Sequence, residues 1–154
     1  MDTWWIDEPR LLGSCNPTTE DLGTLRADGF GVIVSLLEED LQPPEYDLAR
    51  VEAMGYARHN IAVRDFHSPS VEQLLEFLDL MRQLREDAKV VVHCQAGIGR
   101  TGTFAAAYWI AKGLTVDEAL SRVGEARPFA VETPEQRAVL DQFARTLRRP
   151  KKSA

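Results

Sequence analysis

The chain has 154 residues, 44% hydrophobic and 27% charged, with a formal net charge of −6. That length suits one domain with a sizeable buried core, and that composition excludes a disordered or fibrous chain. The acidic excess disfavours nucleic-acid partners, and two cysteines, Cys15 and Cys94, cannot build a disulfide scaffold or a four-cysteine zinc site.

No membrane partner is expected, because the longest mostly apolar stretch, 103–111, falls far short of the roughly 20 residues a membrane helix needs. The opening MDTWWIDEPR lacks the basic-then-apolar pattern of an export signal, and free cysteines suit a reducing compartment. A cytoplasmic location is the expectation, with a monomer as the default state.

The elements alternate along the chain. Leu11 and Leu12 read as part of an opening strand. Residues 18–28 read as a helix with Thr18 capping and Asp21 three residues on, stopped by Gly29. The β-branched run 31–37 is a buried strand. Pro43 and Pro44 are expected to open a helix through Met54, ended by Gly55, with a strand over 56–62. After a loop, 70–86 forms the longest amphipathic helix, with a Ser70–Gln73 capping box and Val71, Leu74, Leu75, Leu78 and Met81 on one face. Val90, Val91 and Val92 make another buried strand. Helices are expected over 100–112, 115–126 and 134–147, with capping boxes at Thr115–Glu118 and Thr133–Gln136. The basic end, 148–154, is expected to be a frayed tail.

Apolar strands separated by helices imply a single α/β domain over 1–147, with a mainly parallel central sheet covered by helices on both faces. Ligands in such folds bind at the carboxyl ends of the strands. The valine strand runs directly into His93-Cys94-Gln95-Ala96-Gly97-Ile98-Gly99-Arg100-Thr101-Gly102. A cysteine ends a buried strand, two glycines let the loop turn tightly, and an arginine stands five residues on at a helix mouth. Successive amides in such a loop form an anion nest, the helix N-terminus adds partial positive charge, and Arg100 can grip two oxygens. The same field favours a thiolate at Cys94. A nucleophilic sulfur beneath a bound oxyanion suits a phosphoryl group, so the phosphate-binding loop lies between a central strand and a helix.

This run resembles the signature of the cysteine-dependent protein-tyrosine phosphatases, and the chain has the size of the small, atypical dual-specificity branch. The resemblance is strongest from Asp65 to about Arg127. It implies that Cys94 attacks phosphorus to give a cysteinyl-phosphate intermediate. It implies that the amides of Gln95, Ala96, Gly97, Ile98, Gly99 and Arg100, with the Arg100 side chain, hold the equatorial oxygens. Thr101 would hydrogen-bond the sulfur and ease its departure, and His93 would support the loop from behind.

The family's general acid is an aspartate on a separate loop, roughly thirty residues before the cysteine. Asp65, twenty-nine residues ahead of Cys94, fits best, with His67 a second candidate proton carrier. Val63 and Arg64 stand where larger relatives carry Trp-Pro. Gln136 is a candidate for positioning the hydrolytic water, set against its plainer role in a helix cap. Glu132 is expected as a solvated loop carboxylate, Arg127 as a partner of the acidic surface, and Cys15 as a small buried residue near the opening strand rather than a redox partner. Trp4, Trp5 and Phe66 are candidates for an aromatic pocket wall, with a lid on the core as the plainer expectation.

No metal and no cofactor are implied. The variable loop positions Gln95 and Ile98 are not cationic, so a phosphorylated protein or peptide, above all phosphotyrosine, is the expected substrate. Phosphoserine and phosphothreonine are included if the pocket is shallow. The alternatives are a phosphoinositide or inositol-phosphate phosphatase, with Arg58 and Arg64 as rim cations, an RNA 5′-triphosphatase, and a catalytically silent phosphopeptide-binding module.

Overall fold

The computed structural model describes residues 1–148, and the expected tail over 149–154 lies outside them. Five strands and six helices are present among the described residues, in the order β1 (Thr3–Asp7), β2 (Leu11–Ser14), α1 (Thr19–Ala27), β3 (Phe30–Leu37), α2 (Leu48–Ala53), β4 (Ala57–Val63), α3 (Val71–Gln83), β5 (Lys89–His93), α4 (Gly99–Ala111), α5 (Val116–Ala126) and α6 (Pro134–Arg148). The sheet order is β1-β2-β5-β3-β4. Only the β1–β2 pairing is antiparallel. β5 is therefore the middle strand, and its carboxyl end is the natural binding position of an open parallel sheet.

The sheet separates two apolar layers. On one side, α1, α2 and the segments flanking α2 cover Leu12, Ile33 and Val91 with Leu22, Tyr46, Val51 and Tyr56. On the other, α3 to α6 cover Val34, Val90 and Val92 in a larger core centred on the fully buried Phe77, Phe104 and Phe143. Phe77 of α3 meets Phe104 of α4 edge to face, with ring centroids 5.4 Å apart, the arrangement that ring quadrupoles favour. This is the expected α/β architecture with helices on both faces.

Capping at α1, α3 and α5 follows the expected boxes, built on Thr18, Ser70 and Thr115. Four expectations are corrected. The opening strand is β1 rather than β2: its Trp4 and Ile6 face inward while Thr3, Trp5 and Asp7 lie half-exposed, the alternation of an edge strand. The helix expected from Pro43 begins only at Leu48, capped by Asp47. Asn16 takes up the segment before it, donating to the Pro43 carbonyl and accepting from the Glu45 amide. Tyr46 is buried, with its hydroxyl committed to His93 at the end of β5. Those bonds hold the backbone out of a helix. The expected helix over 70–86 stops at Gln83, because Leu84 is already extended on its way to β5. Arg148 closes α6 instead of opening the tail.

α4 runs under the site and is buried along nearly its whole length. Its second turn needs a residue without a side chain: a Cβ on Gly102 would overlap the Ala130 carbonyl oxygen. The close approach lets the segment leading into α6 lie directly against α4. Gly102→Ala is expected to destabilise the fold by about 2–3 kcal/mol, the scale of overpacking against backbone. Urea unfolding monitored by circular dichroism measures this, and a loss under about 0.5 kcal/mol would show that the segment simply shifts aside.

Candidate active site

Cys94 follows the last residue of β5 and is 2% exposed. Two donors converge on its sulfur: the Gly97 amide at 3.2 Å and the Thr101 hydroxyl at 3.0 Å. Residues 94–100 close around it because Gly97 takes a φ of +75°, and a Cβ there would meet the Ser14 and Cys15 backbone at 2.7 Å. The loop is fastened from below by Trp4, whose indole N–H donates to the Gly97 carbonyl at 2.8 Å. Asn16 fastens it from the side, its backbone amide donating to the Gln95 carbonyl at 3.0 Å. α4 then opens on Ile98 without a side-chain cap. Its first amides stay uncovered, a natural place for an anion.

Arg100 is 2% exposed. Its Nη1 donates to the Val63 carbonyl and its Nη2 to the Gln42 side-chain oxygen, both at 2.8 Å. Nη2 also faces Asp65 Oδ1 at 3.2 Å. The Nε–H is buried and, among the described residues, has no protein acceptor. A buried cation is costly unless paired. Here the pairing leaves the Nε–H available to a further oxygen. Asp65 lies on the loop after β4, half-exposed, with Oδ2 accepting from Gln42 Nε2 at 3.0 Å. The candidate nucleophile, arginine and carboxylate thus come together from the two parallel strands β5 and β4.

His93 lies behind the loop and is fully buried. Its Nδ1 is 3.3 Å from the Cys94 carbonyl and its Nε2 is 2.9 Å from the Tyr46 hydroxyl. Arg58, which pairs with Glu39, donates from Nε to that same hydroxyl at 2.9 Å. The chain of donors assigns the tautomer: Arg58 to Tyr46, Tyr46 to His93 Nε2, and His93 Nδ1–H to the Cys94 carbonyl. Burial lowers the His93 pKa to about 4; the bond to Cys94 opposes the shift, and the nearby Arg58 and Arg100 add to it. A neutral ring therefore braces the backbone of the loop.

Gln136 is buried beside the loop, its side-chain nitrogen 3.1 Å from where a Gly99 Cβ would be. Its Oε1 accepts from the Glu132 and Thr133 amides, and its Nε2 donates to the His67 carbonyl at 3.4 Å. It caps α6 and also touches both loops at the site. His67 contributes that carbonyl, while its side chain lies in an exposed residue. Glu132 is exposed as expected, yet its carboxylate comes within 2.6 Å of the Gly99 Cβ position, at the loop rim. Of the expected aromatics, Trp4 serves the loop from within the core, Trp5 stacks on Phe30, and Phe66 is 63% exposed beside Asp65. Arg127 pairs with Asp2 at 2.7 Å.

Sequence reasoning missed Asn16, Gln42 and Tyr46, and the bond from Trp4. Their partners within 93–100 lie 47 to 93 residues away along the chain, and no local pattern marks such contacts.

The buried neutral His93 makes a pH prediction. An unfolded histidine takes up a proton as pH falls below about 6.5, whereas the folded ring resists protonation down to about 4. The stability owed to the neutral ring is full above pH 6.5 and is lost as pH falls through that window, by about 3 kcal/mol in total. Urea unfolding at pH 6.5 and 4.5 is expected to show the drop, and His93→Gln to show a much smaller one. An equal drop in His93→Gln would assign the effect to carboxylates.

Comparison with known proteins bears on what such a loop is for. Residues 10–114 match the family profile of the polymorphic toxin system DSP-PTPase phosphatases. The chain is 38% identical to Tk-PTP, and the crystal structure of Tk-PTP in the active form matches it with a TM-score of 0.82 over 93% of this chain and 96% of that one. It is 35% identical over 97 residues to the tyrosine-protein phosphatase CDC14 homolog of Schizosaccharomyces pombe, a match covering 62% of this chain and 18% of that protein. It is 32% identical over 150 residues to the phosphatidylglycerophosphate phosphatase PTPMT2 of Arabidopsis thaliana, covering 92% of this chain and 63% of that protein. The chain thus spans only part of each of these two longer proteins. With most of its length matched to the family profile and a relative of equal size sharing its whole fold, the chain belongs to the DSP-PTPase family, as a small atypical dual-specificity phosphatase of the cysteine-dependent protein-tyrosine phosphatase superfamily.

Proposed function

We propose that the chain hydrolyses phosphotyrosine in proteins or peptides, and phosphoserine and phosphothreonine where they reach the sulfur, through a cysteinyl-phosphate intermediate. The observation that carries this reading is the convergence of Gly97 N–H and Thr101 O–H on Cys94 Sγ, in the same loop that carries the buried Arg100. The thiolate attacks phosphorus while the P–O bond to the leaving group breaks. The amides of Gln95, Ala96, Gly97, Ile98, Gly99 and Arg100, with the Arg100 guanidinium, hold the three equatorial oxygens as charge builds on them. Asp65, protonated, gives its proton to the departing oxygen. In the second step Asp65 takes a proton from water as the water attacks phosphorus, and the S–P bond breaks with Thr101 stabilising the released thiolate. Gln136 is the candidate for holding that water, since it borders both Gly99 and the His67 carbonyl. No step requires a metal or a cofactor.

The substrate argument rests on where positive charge is free. Gln95 and Ile98 bring none to the loop. Arg58 is committed to Glu39 and Tyr46, which removes one of the two cations that would serve extra ring phosphates. Arg64 is exposed. A phosphoprotein substrate is favoured on that count, and the acidic chain suits neither RNA ends nor an anionic membrane. No described helix is long and apolar enough to cross a membrane. The second reading is a lipid phosphomonoester, favoured by the likeness to the Arabidopsis phosphatidylglycerophosphate phosphatase over most of this chain.

Phosphate release in a chelator tests these readings together. The panel comprises phosphotyrosine, phosphoserine and phosphothreonine peptides, a phosphoinositide, phosphatidylglycerophosphate and a triphosphate-ended RNA. Preference for phosphotyrosine, abolished by Cys94→Ser, is expected; preference for a lipid keeps the mechanism and replaces the substrate. Asp65→Asn is expected to lower kcat/KM on phenyl phosphate about 100-fold, the usual scale of a general acid. An unchanged rate would move that role to another residue.

A further inference from the structure

The buried Arg100 and the half-exposed Asp65 share one neighbour that touches both. Gln42 lies in the segment between β3 and α2, where its carboxamide faces Arg100 with its oxygen (Nη2 to Oε1, 2.8 Å) and Asp65 with its nitrogen (Nε2 to Oδ2, 3.0 Å). This orientation has no freedom: guanidinium only donates and carboxylate only accepts. The third side of the triangle is the Arg100 Nη2–Asp65 Oδ1 contact at 3.2 Å. Gln42 itself is held in an irregular segment fastened at both ends. Asn16 binds the Pro43 carbonyl and the Glu45 amide on one side, and Gln42 N–H donates to the Glu38 carbonyl on the other.

The triangle matters because Arg100 has little left to offer an incoming phosphoryl group. Nη1 is used by Val63, Nη2 is shared between Gln42 and Asp65, and only Nε is without a protein acceptor among the described residues. Two-pronged grip on two oxygens needs a second N–H beside Nε. The Asp65 contact is the bond to Nη2 that a competing anion displaces. Once displaced, Asp65 keeps one tether in this triangle, the Gln42 Nε2–H.

We propose that Gln42 is a positioning residue that holds Asp65 in reach of the leaving-group oxygen while Asp65 and the phosphoryl group exchange places on Arg100. It touches no reacting atom and acts through Asp65. The inference rests on the reading of Asp65 as the general acid, and its test separates the two.

The test uses kcat/KM on two esters, phenyl phosphate and 2,4-dinitrophenyl phosphate. The first step, which kcat/KM reports, needs a proton for phenolate departure but not for dinitrophenolate departure. The ratio of the two values cancels any change in phosphate binding, so a merely structural role would leave it unmoved. Gln42→Ala removes both bonds; Gln42→Glu keeps an acceptor for Arg100 and sets a carboxylate against Asp65. Both variants are expected to shift the ratio against phenyl phosphate by about 10-fold, a fraction of the full general-acid effect. In an Asp65→Asn background the same substitutions are expected to shift it by less than about 2-fold, the signature of one residue acting through the other. Thermal unfolding of each variant checks that it is folded, and the near-isosteric Gln42→Glu supplies the reading if Gln42→Ala is not.

An unmoved ratio with Asp65 intact, or the same shift with Asp65 replaced, overturns the proposal while leaving the general acid in place. If Asp65→Asn alone leaves the ratio unmoved, the acid assignment falls, and the role of Gln42 falls with it.

Discussion

The sulfur of Cys94 is held by the Gly97 amide and the Thr101 hydroxyl, and most of the fold serves that geometry. A chain can wrap its own amides around a single atom only where it turns sharply, and it turns at Gly97, packed on the Ser14 and Cys15 backbone. The turn stays in place because β2 runs parallel to β5, with Ser14 paired to His93, so the two strands end together. Trp4 then reaches from the edge strand to the Gly97 carbonyl. The antiparallel β1, which adds nothing to the parallel layout, has its use here.

Charge sets the second constraint. Arg100 and Arg58 are cations close to an uncharged histidine, and each is offset by a carboxylate, Asp65 for one and Glu39 for the other. The two pairs differ in what they leave open. Arg58 ends in a closed relay through Tyr46 and His93 to the backbone of the loop. Arg100 keeps a buried Nε–H with no acceptor among the described residues, and a partner on a half-exposed loop. A part-buried ion pair tied into a relay braces a structure; one with a buried donor to spare, beside solvent, can exchange its partner for a ligand. The same chemical pairing thus serves as support on one side of Cys94 and leaves a donor open on the other.

Three segments distant in sequence carry the walls of the site: the stretch between β3 and α2 with Gln42, the loop after β4 with Asp65, and the approach to α6 with Glu132 and Gln136. Two of the three depend on small local facts elsewhere. Gly102 lets the approach to α6 lie against α4. Asn16 keeps the Gln42 segment from winding into the helix that two prolines would otherwise start. In both places a polar bond or a missing side chain, rather than an apolar contact, sets where the walls of the site stand.

The strands β3 and β5, the helices with polar caps and the loop itself were legible in the residues, because each is specified within a window of about ten positions. A β-branched run is buried on either face wherever it falls, a Ser or Thr followed three residues on by Gln or Glu satisfies its own helix end, and Cys-x5-Arg with glycines turns into an anion nest through its own backbone. The spacing of Asp65 was legible only by likeness to a family. The edge strand β1, the short α2, and the contacts of Trp4, Asn16, Gln42 and Tyr46 were not legible, since each depends on partners brought close by sheet order. Trp4 and Gly97 are neighbours only after β1, β2 and β5 have paired. Gln42 meets Arg100 only after β3 and β5 lie side by side. Local propensity names the chemistry a loop can hold; the crossing of parallel strands decides which distant side chains will share it.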